Sequence, residues 1–377
     1  MIVGLLKEPK GERRVALLPQ AVEQLKRMQL EVRVESHAGL QAFAQDDAYR
    51  AAGALITDRQ QVLHADLMIG IHLPAADELS RLKSGSCLIA QFQPLFQLPI
   101  VLRLAEQQLT SFSMDMVPRI TRAQTMDVLS SQATVAGYRA VLVAAQYLPK
   151  FFPMLMTAAG SIAPARVLVL GAGVAGLQAI ATARRLGAVV EAFDTRSAVK
   201  EEVQSLGAKF IEVEGAAESA AAGGYAVEQQ ESFLQRQREK ICEHAAKADV
   251  VICTAQIPGK RAPLLVPMST VQAMRPGSVI VDLAAASGGN CEATRNQEVV
   301  RTDNHITVVG HSNLPADLPA DASRMYGTNL INFLKLLIKD GQLVLNLQDE
   351  IIQGTCITHQ GEIVSPRVRE ALAQTTV

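Results

Sequence analysis

The chain has 377 residues, 49% hydrophobic and only 4% aromatic, enough for two domains whose cores are built from alanine, valine and leucine. Its 36 basic and 37 acidic residues nearly cancel, so no long-range field gathers nucleic acid or anionic lipid, and nucleic-acid binding is not expected. No stretch reaches about 18 to 20 apolar residues without glycine or charge, which argues against a bilayer span, and the apolar start of MIVGLLKEPKGERRV is too short for a signal-peptide core. The five cysteines, Cys87, Cys242, Cys253, Cys291 and Cys356, are odd in number and form no CxxC pair; they read as reduced core thiols, and no metal site is expected.

The first third alternates strand-like and helix-like runs: IVGLL, a helix through PQAVEQLKRMQ, EVRVES, a helix near DDAYRAAG, then DLMIGI and SCLIAQF. Alternation of this kind predicts a parallel sheet covered by helices. From Arg122 to Phe152 the chain reads as one helix, apolar on most faces across TVAGYRAVLVAAQYL, and so as a buried linking helix. At its start PRITRAQTMDVLSSQ gathers Arg119, Arg122, Gln124, Asp127, Ser130, Ser131 and Gln132. Spacings of three and four put Gln124, Asp127 and Ser131 on one face if the helix has begun there. Such a face meets a ligand or is simply solvated, with Asp127 beside a helix N-terminus; the residues alone leave both open.

RVLVLGAGVAGLQAIATARRLGAVVEAFDTR, residues 166 to 196, carries the sharpest signal. A strand, a glycine turn, an alanine-rich helix and a second strand ending in an acid are the setting that a dinucleotide fingerprint requires. Gly171 allows the tight turn, Gly173 admits backbone to a pyrophosphate, Val174 opens the helix, and Gly176 permits close helix–strand packing. The helix start favours an anion without any basic side chain. Asp194 follows at the spacing of roughly 20 residues where a carboxylate binds the adenosine-ribose hydroxyls. Its charge repels a 2′-phosphate and favours NAD(H) over NADP(H), although Arg196 counts the other way.

The pattern continues through KFIEV, a helix from about Val227 to Lys247, DVVICTA, a helix before MRPG, SVIVDLA and HITVVG, giving a six-strand doubly wound sheet. EGAAESAAAGGYA reads as a mobile loop in which Tyr225 either closes over nucleotide or is incidental. From about Asp321, the helix at GTNLINFLKLLIK and the run LVLNL look like more of the first domain. The expected fold class is α/β: two Rossmann-like domains with parallel sheets, the second inserted into a discontinuous first. The expected boundaries are 1–130 plus 320–377 for the first domain and 131–319 for the second with its linking helix, the cleft between them being the binding site.

The stretches RITRAQTMDVLSSQATVAGYRAV, FPMLMTAAGSIAPARVLVLGAGVAGLQAIATARRLGA, AGGYA, TAQIPGKRAPLLV, MRPGSVIVDLAAASGGNC and VVGHSNLPA together resemble the NAD(H)-binding component of proton-translocating nicotinamide nucleotide transhydrogenase, over essentially the whole chain. The resemblance implies that the protein binds NADH, forms a homodimer, docks with a separate NADP(H)-binding component and passes hydride directly between nicotinamides, while membrane-spanning subunits couple the step to proton movement. It implies that Arg119, Gln124, Asp127 and Ser130 surround the nicotinamide and its ribose, and that Asp194 and Arg196 lie at the adenosine ribose. It places Tyr225 on the mobile loop, with Gly224, Gln237, Ala255 and Gln256 near the nucleotide. Because the chain ends at REALAQTTV without an apolar span, it is expected to be peripheral on the cytoplasmic face of the inner membrane, with no insertion of its own.

Two other readings compete. GERRVALLP and the Rossmann half also resemble alanine dehydrogenase, whose reaction needs a carboxylate anchor and proton-transfer groups. Arg14 suits the anchor, but the other matching positions hold His72 for a lysine, Gln93 for a histidine and Ala286 for an aspartate. A lone histidine beside an apolar strand is more often structural. The third reading is an NAD(H)-sensing protein without turnover. Hydride transfer between two nicotinamides needs proximity rather than a proton donor. On the transhydrogenase reading Gln124 orients the nicotinamide, Asp127 and Ser130 hydrogen-bond, Arg119 steers the carboxamide or a phosphate, and none is a general base.

Overall fold

The computed structural model describes residues 1–213, 231–257 and 259–375. It divides into two compact units: Met1–Gln132 with Pro315–Val377, and Ala133–Leu314. Unit 1 begins with β1 (Ile2–Leu5), β2 (Glu31–Glu35), β3 (Leu55–Thr57), β4 (Leu67–Ile69), β5 (Cys87–Ala90) and β6 (Thr110–Ser113). Unit 2 has the hairpin β7 (Leu155–Thr157) and β8 (Gly160–Ile162), then β9 (Arg166–Leu170), β10 (Val189–Phe193), β11 (Lys209–Ile211), β12 (Val250–Cys253), β13 (Val279–Asp282), β14 (Val299–Arg301) and β15 (Thr307–Val309). The chain returns to unit 1 with the hairpin β16 (Ile338–Lys339) and β17 (Gln342–Leu343), followed by β18 (Cys356–His359) and β19 (Glu362–Ile363).

Both units are α/β and wound alike. Among the described residues unit 1 has the strand order β19-β18-β6-β5-β4-β1-β2-β3, and unit 2 has β11-β10-β9-β12-β13-β15-β14. The parallel strands of each follow the doubly wound order, which reverses between β1 and β4 in unit 1 and between β9 and β12 in unit 2. Each sheet is extended past its last parallel strand by antiparallel pairing, through β18 and β19 in unit 1 and β14 in unit 2.

The strands of unit 2 are apolar runs because both faces are covered. Successive side chains alternate faces: Val167 and Val169 join one core, Leu168 and Leu170 the other, and β12 and β13 divide in the same way. Each fully buried side chain of this kind stabilises by roughly 1.5–3 kcal/mol. In unit 1, Leu67, Ile69 and Ile89 face a core shared with Leu330, Phe333 and Leu334 of the helix Pro319–Leu337, so the C-terminal segment completes a sheet begun by the N-terminal one.

Several expectations change. The helix expected from Arg122 to Phe152 is a 3-10 turn, Thr121–Met126, then Asp127 in extended conformation, then an α-helix over Val128–Tyr147. Gln124 and Asp127 therefore lie before the α-helix, and no single helical face joins them to Ser131. The sheet of unit 2, expected to hold six strands, gains the antiparallel β14. Of the run LVLNL only Leu343 is in a strand, paired with Ile338 in a small hairpin. The helix expected from about Val227 is described over Glu231–Ala245, and Gly224, Tyr225 and Val227 lie outside the described residues.

Candidate dinucleotide and nicotinamide sites

In unit 2 the fingerprint turn leaves β9 at the point where strand order reverses, where doubly wound sheets bind ligands. Gly171 has φ +98°, and a Cβ on it would lie 2.6 Å from the Thr254 hydroxyl oxygen. That hydroxyl contacts the carbonyls of Leu170 at 3.2 Å and Gly171 at 2.9 Å, tying the turn to the loop after β12. A Cβ on Gly176 would collide with the Gly171 carbonyl, so helix and turn touch backbone to backbone. Gly173 caps the helix Val174–Arg185, and among the described residues a Cβ there would meet nothing closer than Arg196 Nη2 at 4.0 Å. Among the described residues nothing fills the space in front of the helix start, where a pyrophosphate needs room, and Val174 is exposed beside it.

Asp194 ends β10 with both carboxylate oxygens in use. Oδ2 accepts from Ala172 N at 2.7 Å and Arg196 Nη2 at 2.7 Å; Oδ1 accepts from Arg196 N and Nε, each at 2.9 Å. Burial opposes ionisation, but the hydrogen bonds and charge of Arg196 outweigh it and hold the carboxyl below its usual range. Ala255 and Gln256 lie on the loop after β12. Ala255 N donates to Asn290 Oδ1 at 3.1 Å, and Gln256 Nε2 donates to the Leu283 carbonyl at 2.9 Å. Gln237 is buried on the helix Glu231–Ala245, and its Oε1 has no hydrogen-bond partner among the described residues.

Sequence reasoning missed the frame behind this loop. Fully buried Asp282 accepts from the backbone N–H groups of Ala284, Asn290 and Cys291 and from the Thr294 hydroxyl. Asn290, also fully buried, donates to the Ala255 and Pro263 carbonyls. An acid at the end of a buried strand followed by SGGN is the only local signal.

The second group of candidates lies in unit 1. Asp127 caps the helix Val128–Tyr147: its Oδ1 accepts from Ser130 N at 2.9 Å and its Oδ2 from the Ser130 hydroxyl at 2.6 Å. Gln124 is exposed, with no side-chain hydrogen bond to the described residues, and Arg119 is exposed nearby in sequence. The turn that carries Gln124 is held from behind, because Asn329 Nδ2 donates to the Thr125 carbonyl at 2.8 Å and Asn332 Nδ2 does so at 3.3 Å. Arg122 pairs with Asp349 at 2.7 Å.

Arg14 does not present a free guanidinium. Its Nε and Nη2 engage both oxygens of Glu12 at 2.9 and 2.6 Å, and its Nη1 donates to Gln132 Oε1 at 2.7 Å. His72 Nε2 lies 3.1 Å from Glu12 Oε2. Burial opposes ionisation of Glu12, but the Arg14 and His72 bonds hold its carboxyl well below the usual range. Glu8 behaves oppositely: burial pushes it up to about 7 despite N–H donors from Ile71 and His72. A cavity of about 390 Å³ opens over the carboxyl ends of β1 and β4, lined by Lys7, Glu8, Arg59, His72 and Glu78. It includes none of the predicted nicotinamide residues.

The chain matches two family models: alanine dehydrogenase/PNT, N-terminal domain, over residues 4–136, and alanine dehydrogenase/PNT, C-terminal domain, over residues 140–366. It is 42% identical to NAD(P) transhydrogenase subunit alpha of Haemophilus influenzae, covering 99% of this chain and 74% of that protein. The alanine dehydrogenase of Mycolicibacterium smegmatis is 29% identical over 99% of this chain and 97% of its own length. Among solved structures, transhydrogenase from Sinorhizobium meliloti superposes with a TM-score of 0.88 at 43% identity, over 97% of this chain and all of that one. The chain therefore belongs to the alanine dehydrogenase/PNT family, and within it to the NAD(P) transhydrogenase alpha subunits, an oxidoreductase component.

Proposed function

We propose that unit 2 binds NAD(H) and that the protein presents its nicotinamide for direct hydride exchange with NADP(H) held on a partner component, membrane subunits coupling the exchange to proton movement. The observation that carries the reading is the fit of the phosphate turn to a dinucleotide: space before Gly173 that no described residue fills, backbone contact at Gly176, and a buried carboxylate at Asp194. When bound, NAD(H) supplies the hydride chemistry. The chain's own residues hold and orient it.

Gln124, exposed on a turn fixed by Asn329, is assigned the orientation of the nicotinamide. Asp127 and Ser130 form a hydrogen-bonding pair, and Arg119 steers the carboxamide or a phosphate. None of these residues moves a proton, and none is needed to when the task is to bring two carbons to about 3–3.5 Å and exclude water. Gln93 and Ala286, where alanine dehydrogenases place a histidine and an aspartate, have no acid–base chemistry.

Among the described residues no helix is long and apolar enough to cross a membrane. We assign the protein a peripheral place on the cytoplasmic face of the inner membrane, as a homodimer held by partner subunits. The decisive experiment mixes it with an NADP(H)-binding transhydrogenase component and follows reduction of an NAD analogue by NADPH. Transfer supports the reading. Alanine-dependent NADH formation by the isolated chain would replace it with a dehydrogenase, and NADH binding without transfer would leave a sensor.

A further inference from the structure

The geometry points to Asn329 as a positioning residue for hydride transfer: by holding the Thr125 carbonyl it sets where the neighbouring Gln124 side chain stands. This inference rests on the reading of Gln124 as the group that orients the nicotinamide, and adds the residue through which that orientation is fixed.

The 3-10 turn Thr121–Met126 has two sides. Ala123 and Met126 are buried in the core that also holds Leu330 and Phe333 of the helix Pro319–Leu337, whereas Gln124 is exposed. Apolar packing draws the turn onto that helix but is non-directional, so it leaves slide and rotation loosely defined. Hydrogen bonds supply the direction. A helical turn that breaks off before an extended residue leaves its last carbonyls without a partner of its own, and Thr125 stands at such a break. Its carbonyl accepts twice from the helix, from Asn329 Nδ2 at 2.8 Å and from Asn332 Nδ2 at 3.3 Å. Three positions apart, the two asparagines share one helix face. The preceding carbonyl, that of Gln124, accepts from Asp127 N at 3.3 Å. Two successive peptide groups are therefore held, while the Gln124 side chain has no hydrogen bond to the described residues. A fixed backbone thus presents a free amide.

Asn329 is a costly choice for a residue that only packs. It is 8% exposed, and its Oδ1 is buried with no hydrogen-bond partner among the described residues. An unmet acceptor in a core is disfavoured, and departures of this kind gather where function requires them. What the position gains is a donor to Thr125. Slack in that bond reaches Gln124 directly, and hydride transfer is more sensitive to placement than binding is.

The test measures melting, NADH affinity and stopped-flow transfer from NADPH to an NAD analogue in the complex reconstituted with an NADP(H)-binding component. Asn329→Leu fills nearly the same space without a donor. Its NADH affinity is expected to stay within about twofold, and its transfer rate to fall about tenfold to a hundredfold, the scale of a misplacement of about 1 Å. In a Gln124→Ala background the same substitution is expected to cause no further slowing, because residues that act through one another are not additive. Tyr326→Phe, which removes the bond from the same helix to the Gly70 carbonyl, is the structural control and is expected to melt lower with transfer unchanged. Asn332→Ala removes only the longer bond at 3.3 Å and carries the test should Asn329→Leu not fold, with a slowing of several-fold that Gln124→Ala again abolishes. Equal slowing in both backgrounds, transfer at the wild-type rate, or a Tyr326→Phe variant slowed as much would overturn the role of Asn329. A Gln124→Ala variant that transfers as fast as the wild type would instead overturn the reading of Gln124.

Discussion

Asn290 and Ala255 bind each other in both directions: Ala255 N donates to Asn290 Oδ1 at 3.1 Å, and Asn290 Nδ2 donates back to the Ala255 carbonyl at 2.9 Å. The side chain imitates a strand partner and fixes a loop at the switch point of the sheet. Asn290→Ala leaves partly buried backbone groups at Ala255 and Pro263 without this partner, each costing up to about 1–3 kcal/mol. We expect a lower melting temperature and weaker NADH binding, with less stabilisation by added NADH. A variant that melts and binds like the wild type would show that the loop holds itself.

Gln124 makes a contrasting case, since its side chain is exposed and has no hydrogen bond to the described residues. Gln124→Asn should leave the melting temperature unchanged and NADH affinity nearly so, while slowing hydride transfer in the reconstituted complex far more than it weakens binding. Stopped-flow measurement with NADPH and an NAD analogue reads the difference. An unchanged transfer rate counts against an orienting role.

Two glycines of the fingerprint separate packing from ligand space. Gly176→Ala forces a methyl group into the Gly171 carbonyl and should destabilise by about 1–3 kcal/mol, as overpacking does. Gly173→Ala has room among the described residues and should melt near the wild type, yet it fills the space reserved for phosphate and should weaken NADH several-fold. Differential scanning calorimetry with and without NADH distinguishes the two, and a fully stable Gly176→Ala would contradict the close approach.

Glu8 predicts a pH dependence. Burial raises its folded value to about 7 from an ordinary 4.5, so between those limits the folded state binds more protons than the unfolded one. Its contribution is favourable below about 4.5 and is lost as pH rises through 7. Melting temperatures of Glu8→Gln relative to wild type should therefore shift in the variant's favour across this window. A difference that does not move with pH would show that Glu8 titrates normally.

What the sequence made legible was whatever local chemistry fixes. The apolar runs of β9, β12 and β13 announce strands covered on both faces, and Gly171 by its positive φ and Gly176 by its contact with Gly171 each answer to a constraint within the turn. The interruption at Asp127 was not legible because 3-10 and α turns share their polar spacing over so short a stretch. Strand β14 and the β18–β19 pair are too short to show a period and exist because an edge was available to pair with. The Asp282–Asn290 frame and the Asn329 support of Thr125 depend on tertiary placement, and no local pattern encodes them. The locking of Arg196 onto Asp194 spans only two residues, but rotamers decide it rather than composition.

The helix Pro319–Leu337 also bears on the order of events during synthesis. Ser323 accepts from Val15 N, fully buried Tyr326 donates to the Gly70 carbonyl, and Asn329 holds Thr125, so three separate stretches of the early chain wait for one late helix. Everything unit 2 needs is synthesised before that helix is made. The inserted half is thus free to fold first on the nascent chain, while the amino-terminal half stays unsealed until translation has passed residue 337.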